Sequence, residues 1–211
     1  MLGIIISYIS HALSIADYPD MAFEQSWDGY NYSVIYGHTR GTISFTEEAI
    51  VGAFRNERSD RIDNYPQARA VDYFQDAPQH IQDIAIADTL EYLYDRIGDA
   101  EMPVATTAIW SEGENLYSSD DEDVFYLQGG EFLQKFFQPE EQLYEIVADE
   151  YEFKESVIEG IRSLVALKGG SIFTHVSINM ERLIEIIGSS SEDLDACINA
   201  LSKININVVI A

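Results

Sequence analysis

The chain has 211 residues, of which 46% are hydrophobic and 12% aromatic, and this composition excludes a disordered protein. Its formal net charge is −25, from 37 Asp and Glu residues against 12 Lys and Arg residues. Because a field of this sign repels phosphate groups, nucleic acid and anionic membranes are not expected as partners.

The N-terminal segment, residues 1–20, is apolar but lacks the features of a signal peptide. No Lys or Arg precedes the apolar run, and Ser7, Ser10 and His11 interrupt it. We predict a first strand or an amphipathic helix here. No other stretch approaches the ~20 uninterrupted apolar residues that a membrane-spanning helix needs.

The next part of the chain has the pattern of antiparallel strands. Residues 30–36 are aromatic and β-branched, residues 37–41 begin and end with glycine, and residues 42–46 resume the alternation, which predicts a hairpin. Residues 49–55 predict a third strand, with Gly52 at a bulge or a close backbone approach.

The middle of the chain mixes helical and extended patterns. Residues 56–65 are polar and irregular, and a short helix is predicted after Pro66. Apolar residues keep helical spacing from Ile81 to Ile97, so a long helix is predicted from Asp76 to a stop at Gly98. A buried strand is predicted over residues 104–110, followed by a turn.

The second half has the pattern of helices. Starts are predicted at Ser119, at the Gly129–Gly130 break and at Pro139, and further helices over residues 154–168, 177–187 and 190–202. Short strands are predicted at 171–176 and 204–210. The predicted fold is therefore α+β in a single domain over residues 1–211, with an N-terminal antiparallel β-meander, helices packed against it, and a helical C-terminal half ending in a short strand.

Catalytic and cofactor motifs are absent from the sequence. The four histidines lack metal-ligand spacing, the acidic run 120–123 lacks the pattern of a calcium loop, and the glycines form no phosphate-binding loop. The lone Cys197 lies on the apolar side of a predicted helix, which indicates a buried thiol and a reducing, cytoplasmic compartment. We predict no metal, no cofactor and no local catalytic site.

The acidic residues are concentrated in one segment. Residues 112–159 hold 15 Asp and Glu against Lys135 and Lys154, a net charge of −13. Five of the twelve basic residues instead fall within residues 40–69. Because so many carboxylates cannot all be turned inward, residues 112–159 are predicted to form a continuous negative surface.

Two tryptophans stand at predicted strand ends, each beside an acidic residue and a glycine. Aromatic rings and carboxylates are suited to gripping a basic protein, although both tryptophans could equally anchor a core. The predicted partner-binding residues are Trp27, Asp28, Tyr30, Trp110, Glu112, Glu114, Tyr117, Asp120, Asp121 and Asp123.

These features favour an acidic protein-binding module, for example an inhibitor or immunity-type protein that neutralises a basic partner such as a nuclease toxin. Two alternatives stay open: an enzyme whose carboxylates or histidines meet only in the fold, and a structural subunit of an assembly. A deep pocket with convergent polar groups would favour the enzyme, and a flat acidic and aromatic surface would favour the binder. The sequence leaves the oligomeric state open.

Overall fold

The computed structural model of the chain describes residues 1–16, 24–63, 69–113, 115–188 and 194–209. The chain divides into two compact units. Unit 1 comprises Met1–Gly29 and Leu133–Ala211, and unit 2 comprises Tyr30–Phe132. The single domain over residues 1–211 therefore stays a prediction.

The described residues form eight α-helices and ten strands. The α-helices are α1 Leu2–Ser14, α2 Asp60–Asp63, α3 Gln79–Ala87, α4 Glu122–Phe125, α5 Glu140–Glu150, α6 Glu155–Lys168, α7 Met180–Ile187 and α8 Leu194–Lys203. The strands are β1 Gln25–Asp28, β2 Asn31–Tyr36, β3 Thr39–Phe45, β4 Ile50–Asn56, β5 Tyr94–Ile97, β6 Ala100–Pro103, β7 Thr107–Glu112, β8 Asn115–Tyr117, β9 Val176–Asn179 and β10 Ile206–Val209. Short 3₁₀ helices span Ala70–Phe74, Thr89–Leu93 and Glu131–Phe137, and a π-helical turn spans Tyr126–Gly130. The predicted α+β class is confirmed.

Unit 2 is built on an antiparallel sheet with the strand order β2-β3-β4-β7-β8. The predicted hairpin is confirmed, but its turn is only two residues long, because Tyr36 already pairs with Thr39. Gly37 takes the positive φ of +58° that such a turn requires. The predicted third strand is confirmed as β4, which pairs with β3 from Thr39 to Phe45.

Both faces of this sheet are covered. Val51, Ala53 and Trp110 pack on one face with Phe74 and residues of α3. On the other face Phe54 makes edge-to-face contacts with Phe125 and Phe132. The strand alternation explains this division, since successive side chains point to opposite faces.

Gly52 lies among side chains of β3, β4 and β7. The pairing of β4 with β3 continues through Gly52 without an extra residue, so there is no bulge. A Cβ at this position would lie 2.9 Å from Cγ2 of Ile109 and 3.0 Å from Cζ of Phe54. The predicted bulge is therefore wrong, and the glycine makes room for neighbouring side chains rather than for another backbone segment.

The long helix predicted from Asp76 to Gly98 is wrong beyond Ala87. Asp88 leaves the helical conformation with φ −127° and ψ −66°, and the chain continues as the 3₁₀ helix Thr89–Leu93 and the strand β5. Thr89 Oγ1 lies 2.8 Å from Ser44 Oγ, which ties this point to the sheet. Leu90 and Leu93 stay buried, because the tighter helix keeps residues three apart on one side.

Unit 1 is built around helix α1, so the helix is the correct alternative for the N-terminal segment, although this helix is buried on all sides and not amphipathic as predicted. The helix is buried from Gly3 to Ser14 and packs against α5, α6 and α8. Its serines do not break it, because Ser10 Oγ donates to the Ile6 carbonyl at 2.8 Å and Ser14 Oγ to the His11 carbonyl at 2.8 Å. An apolar helix that is buried all round needs no polar face.

The C-terminal part of unit 1 is a strand-helix-helix-strand unit. β9 and β10 pair in parallel, with Val176 opposite Ile206. The predicted strand at 171–176 lies several residues later, at Val176–Asn179, and α7 begins after Asn179, whose Oδ1 accepts a hydrogen bond from the Arg182 amide at 2.8 Å. Gly169 ends α6 in the left-handed conformation, with φ +58°.

Candidate functional site

The strand pairing in unit 2 brings several acidic turns to one end of the sheet. One row of paired residues crosses the sheet from Asn31 through Ser44, Val51 and Trp110 to Tyr117. Beyond this row lie Tyr30, the β3–β4 turn and the β7–β8 turn. We call Tyr30, Glu47, Glu48 and Glu112 the acidic sheet end.

The β3–β4 turn presents its two carboxylates outward. Thr46 Oγ1 accepts hydrogen bonds from the amides of Glu48 and Ala49, at 3.3 Å and 2.9 Å, and the Thr46 amide donates to the Ala49 carbonyl at 2.8 Å. The turn is thus held by Thr46, while Glu47 and Glu48 are exposed. Glu112 is exposed at the end of β7, and within the described part of the chain none of the three carboxylates forms an ion pair.

Two of the predicted partner-binding tyrosines lie near this end of the sheet, Tyr30 within the acidic sheet end and Tyr117 on β8. Tyr30 is 38% exposed, and its hydroxyl donates to Asp88 Oδ1 at 2.9 Å, which raises the pKa of the tyrosine. Tyr117 is 42% exposed and stacks on Trp110, with ring centroids 6.3 Å apart. Four strand spacings separate β2 from β8, so the two tyrosines stand about 19 Å apart.

The two predicted tryptophans are buried. Trp27, in unit 1, is 3% exposed, donates from Nε1 to the Gly29 carbonyl at 2.9 Å and meets the Tyr8 ring edge-on. Trp110, in unit 2, is 4% exposed and packs beside Phe74. Their role in partner binding stays a prediction.

Asp120 faces inward, toward the opposite end of the sheet. Its carboxylate accepts two hydrogen bonds from the Arg61 guanidinium, both 2.8 Å, and one from Thr107 Oγ1 at 2.6 Å. Although burial alone raises the pKa of a carboxyl group, these three donors hold the pKa of Asp120 below its usual value. Asp120 therefore stabilises the fold and offers a partner little free charge.

The other predicted acidic residues are dispersed. Asp121 is exposed and caps α4 by accepting a hydrogen bond from the Val124 amide at 2.9 Å. Asp123 is exposed on the same helix, Asp28 is exposed in unit 1, and Glu114 lies outside the described residues.

The arginines of the sheet lie at the end opposite the acidic turns. Arg40 and Arg55 are paired on β3 and β4, and both contact the carboxylate of Asp95 on β5. Their contacts lower the pKa of Asp95, with the hydrogen bond from Arg55 as the largest cause. The sheet is thus polarised, with free carboxylates at one end and paired arginines at the other.

The segment 112–159 does not lie within one unit. Its residues up to 132 belong to unit 2 and those from 133 onward to unit 1. Some of its carboxylates are in ion pairs, including Glu150 with Lys135 at 3.0 Å and Glu141 with Arg162 at 2.7 Å. The continuous negative surface stays a prediction, and Glu112 is the one residue that the segment 112–159 shares with the acidic sheet end.

Sequence reasoning missed a buried polar network that holds the π-helical turn to the sheet. Thr106 Oγ1 accepts from the Asn56 amide at 2.9 Å and donates to the Gln128 carbonyl, while Gln128 Oε1 accepts from Ser59 Oγ. The Gly129–Gly130 pair was the available signal, since Gly129 takes φ +136° within this turn. All these groups satisfy one another, which indicates a structural network.

Lys168 is a second buried polar residue that the sequence pattern did not identify. It is fully buried in unit 1, and its ammonium donates to three carbonyls, those of Ile172, Thr174 and Ile204. Burial lowers the pKa of Lys168 to about 8. The three acceptors match the three donors of the ammonium, so the lysine ties the end of α6 to the loop before β10.

The described residues contain no group of three or more His, Cys, Asp or Glu side chains able to hold a metal ion. Burial raises the pKa of the Cys197 thiol to about 12, which keeps it protonated and unreactive. A largely apolar cavity of about 350 Å³ in unit 2 is lined by Val71, Ile86, Leu90, Tyr94 and Arg69, among others. None of the helices in the described part of the chain is long and apolar enough to cross a membrane.

Comparison of the chain with protein-family models, with curated proteins and with solved structures found no match.

Proposed function

We propose that this chain is an acidic protein-binding module that captures a basic protein, in the manner of an inhibitor or immunity protein acting on a basic partner such as a nuclease toxin. The observation that carries the proposal is the acidic sheet end, where Glu47, Glu48 and Glu112 are exposed beside Tyr30 and form no ion pair with any described residue. Carboxylates steer a basic partner toward this end, and tyrosines supply contact area at low entropic cost.

The separation of charges within unit 2 supports this proposal. Arg40 and Arg55, which would repel a basic partner, lie at the opposite end of the sheet, where both contact the single carboxylate of Asp95. A partner approaching the acidic sheet end therefore meets one sign of charge. Complementary electrostatic potentials, here a negative surface facing a positive partner, raise association rates and disfavour wrong partners.

The experiment uses two variants that each remove three negative charges. The test variant is Glu47→Gln/Glu48→Gln/Glu112→Gln, and the control is Glu145→Gln/Asp149→Asn/Glu152→Gln, whose exposed carboxylates belong to unit 1. Wild type and both variants are used to capture proteins from an extract of the native cells, and each captured protein is then purified and measured by surface plasmon resonance across a salt series.

We expect a basic protein that binds wild type and control alike but associates about tenfold or more slowly with the test variant at low salt. The difference should shrink as salt screens charges beyond ~8 Å at physiological ionic strength. Equal association with both triple variants, or capture of no basic protein, would contradict the proposal.

A further inference from the structure

β8 is the last strand of the sheet in unit 2 and offers an open edge. It pairs with β7 through Trp110–Tyr117, Ser111–Leu116 and Glu112–Asn115, and no other described strand pairs with it. All three of its residues are exposed, and Leu116 is 46% exposed. The strand contains neither a charged residue nor a proline, which are the residues that usually protect an edge from pairing.

The turn geometry defines which backbone groups face outward. Two residues separate Glu112 from Asn115, and the pair that closes a two-residue hairpin turn is a hydrogen-bonded pair. Because hydrogen-bonded and non-hydrogen-bonded pairs alternate, the Leu116 amide and carbonyl point away from β7. These two groups form the exposed donor and acceptor of the edge.

We infer that an extended basic segment of the partner adds to this edge as a further strand, beside β8. This inference rests on the proposed function and specifies how the partner is held. Main-chain hydrogen bonds to Leu116 would supply affinity, while Leu116 on one face and Tyr117 on the other would pack against alternate side chains of the added strand.

Charge decides between a basic segment and a second copy of this chain. Glu112 flanks β8 at its turn, and Asp121 and Asp123 are exposed a few residues beyond its other end. Two copies would bring together chains that each carry −25, whereas lysine or arginine in an added strand would meet these carboxylates favourably. The basic segment is therefore the occupant that fits.

The probe is a synthetic peptide of about six residues that alternates lysine with valine, a usual strand length. It is titrated into the full chain, and amide hydrogen exchange and chemical shifts are followed by NMR. We expect the exchange of the Leu116 amide to slow about tenfold or more on binding, because this amide gains an acceptor.

Two variants at one position separate backbone pairing from side-chain contact. Leu116→Pro removes the outward amide, which an edge strand tolerates, and should raise the peptide Kd about tenfold. Leu116→Ala keeps the amide and should raise the Kd only about threefold. The fluorescence of Trp110, which stacks on Tyr117, checks that the β7–β8 hairpin still forms in each variant. If the hairpin does not form in a variant, the protection of the Leu116 amide in the wild type decides whether the peptide adds as a strand.

Three outcomes overturn the inference. The first is salt-sensitive peptide binding without protection of the Leu116 amide, which leaves the proposed function standing and removes only the strand addition. The second is equal binding of a peptide that alternates glutamate with valine. The third is protection of Leu116 in the chain alone that grows with protein concentration, which would identify a second copy as the occupant.

Discussion

His11 is a buried histidine whose surroundings favour its neutral form. The side chain is completely buried in α1, and neither ring nitrogen forms a side-chain hydrogen bond within the described residues. Burial lowers the pKa of His11 to about 4; the Gln25 backbone opposes this shift and the positive charge of Lys135 adds to it. The histidine that interrupts the apolar run of the N-terminal segment is thus a buried interior residue. It does not mark a polar face of the helix.

This lowered pKa predicts acid sensitivity of unit 1. An unfolded histidine has a pKa of about 6.5, so the unfolded chain takes up this proton first as the pH falls. The free energy of unfolding should therefore be intact above pH 6.5 and fall by on the order of 3 kcal/mol between pH 6.5 and pH 4. Urea denaturation at several pH values, followed by tryptophan fluorescence, measures this.

Two variants isolate the contribution of His11 from that of the many carboxylates. His11→Leu should have a shallower loss of stability over this pH range than wild type, whereas His38→Gln, at an exposed turn position, should follow wild type. Equal slopes for wild type and His11→Leu would show that the ring is not held neutral.

At the scale of single elements, helix packing depends on glycines that the sequence pattern does not reveal. Gly160 lies in the middle of α6, where an added Cβ would come within 2.5 Å of Cγ2 and 2.7 Å of Cγ1 of Ile186 in α7. Helix propensity by itself favours alanine at this position by about 1 kcal/mol. Steric contact and propensity thus act in opposite directions.

We expect the steric contact to prevail, so that Gly160→Ala lowers the free energy of unfolding by about 1–3 kcal/mol. Ile186→Ala removes both clashing carbons and opens a cavity of its own. The double variant should lose less free energy of unfolding than the sum of the two single-variant losses, by about 1 kcal/mol or more. The reason is that the methyl group added at position 160 fills the space left by the Ile186 side chain. Additive losses in a thermal or urea unfolding cycle would contradict direct contact between these positions.

At the scale of the whole molecule, the charge of −25 opposes the compact state through self-repulsion. Adding NaCl from about 0.01 M to about 0.15 M shortens the Debye length from ~30 Å to ~8 Å, so the thermal midpoint should rise by several °C, at roughly 2–4 °C per kcal/mol. Differential scanning calorimetry over this range measures the shift.

MgCl₂ at matched ionic strength is the control for specific cation binding. Screening predicts that the thermal midpoint rises by a similar amount in NaCl and in MgCl₂, with only a small excess for the divalent ion. No larger effect of Mg²⁺ is expected, because no metal-ligand cluster is present in the described part of the chain. A midpoint indifferent to NaCl would show that self-repulsion is negligible, and a much larger rise with Mg²⁺ would reveal a cation site.

The sequence by itself determined the α+β class, the hairpin and third strand, the last helices and the burial of Cys197, because these follow from local periodicity and turn residues. The tertiary structure alone decided that the helix after Pro78 ends at Ala87, where Thr89 meets Ser44 of the sheet. It also separated carboxylates that stand together in the sequence, turning Asp120 onto Arg61 while strand pairing placed Glu47, Glu48 and Glu112 at one sheet end. Pairing between strands distant in the chain sets which charges meet, and a pattern read along one chain contains no information about that pairing.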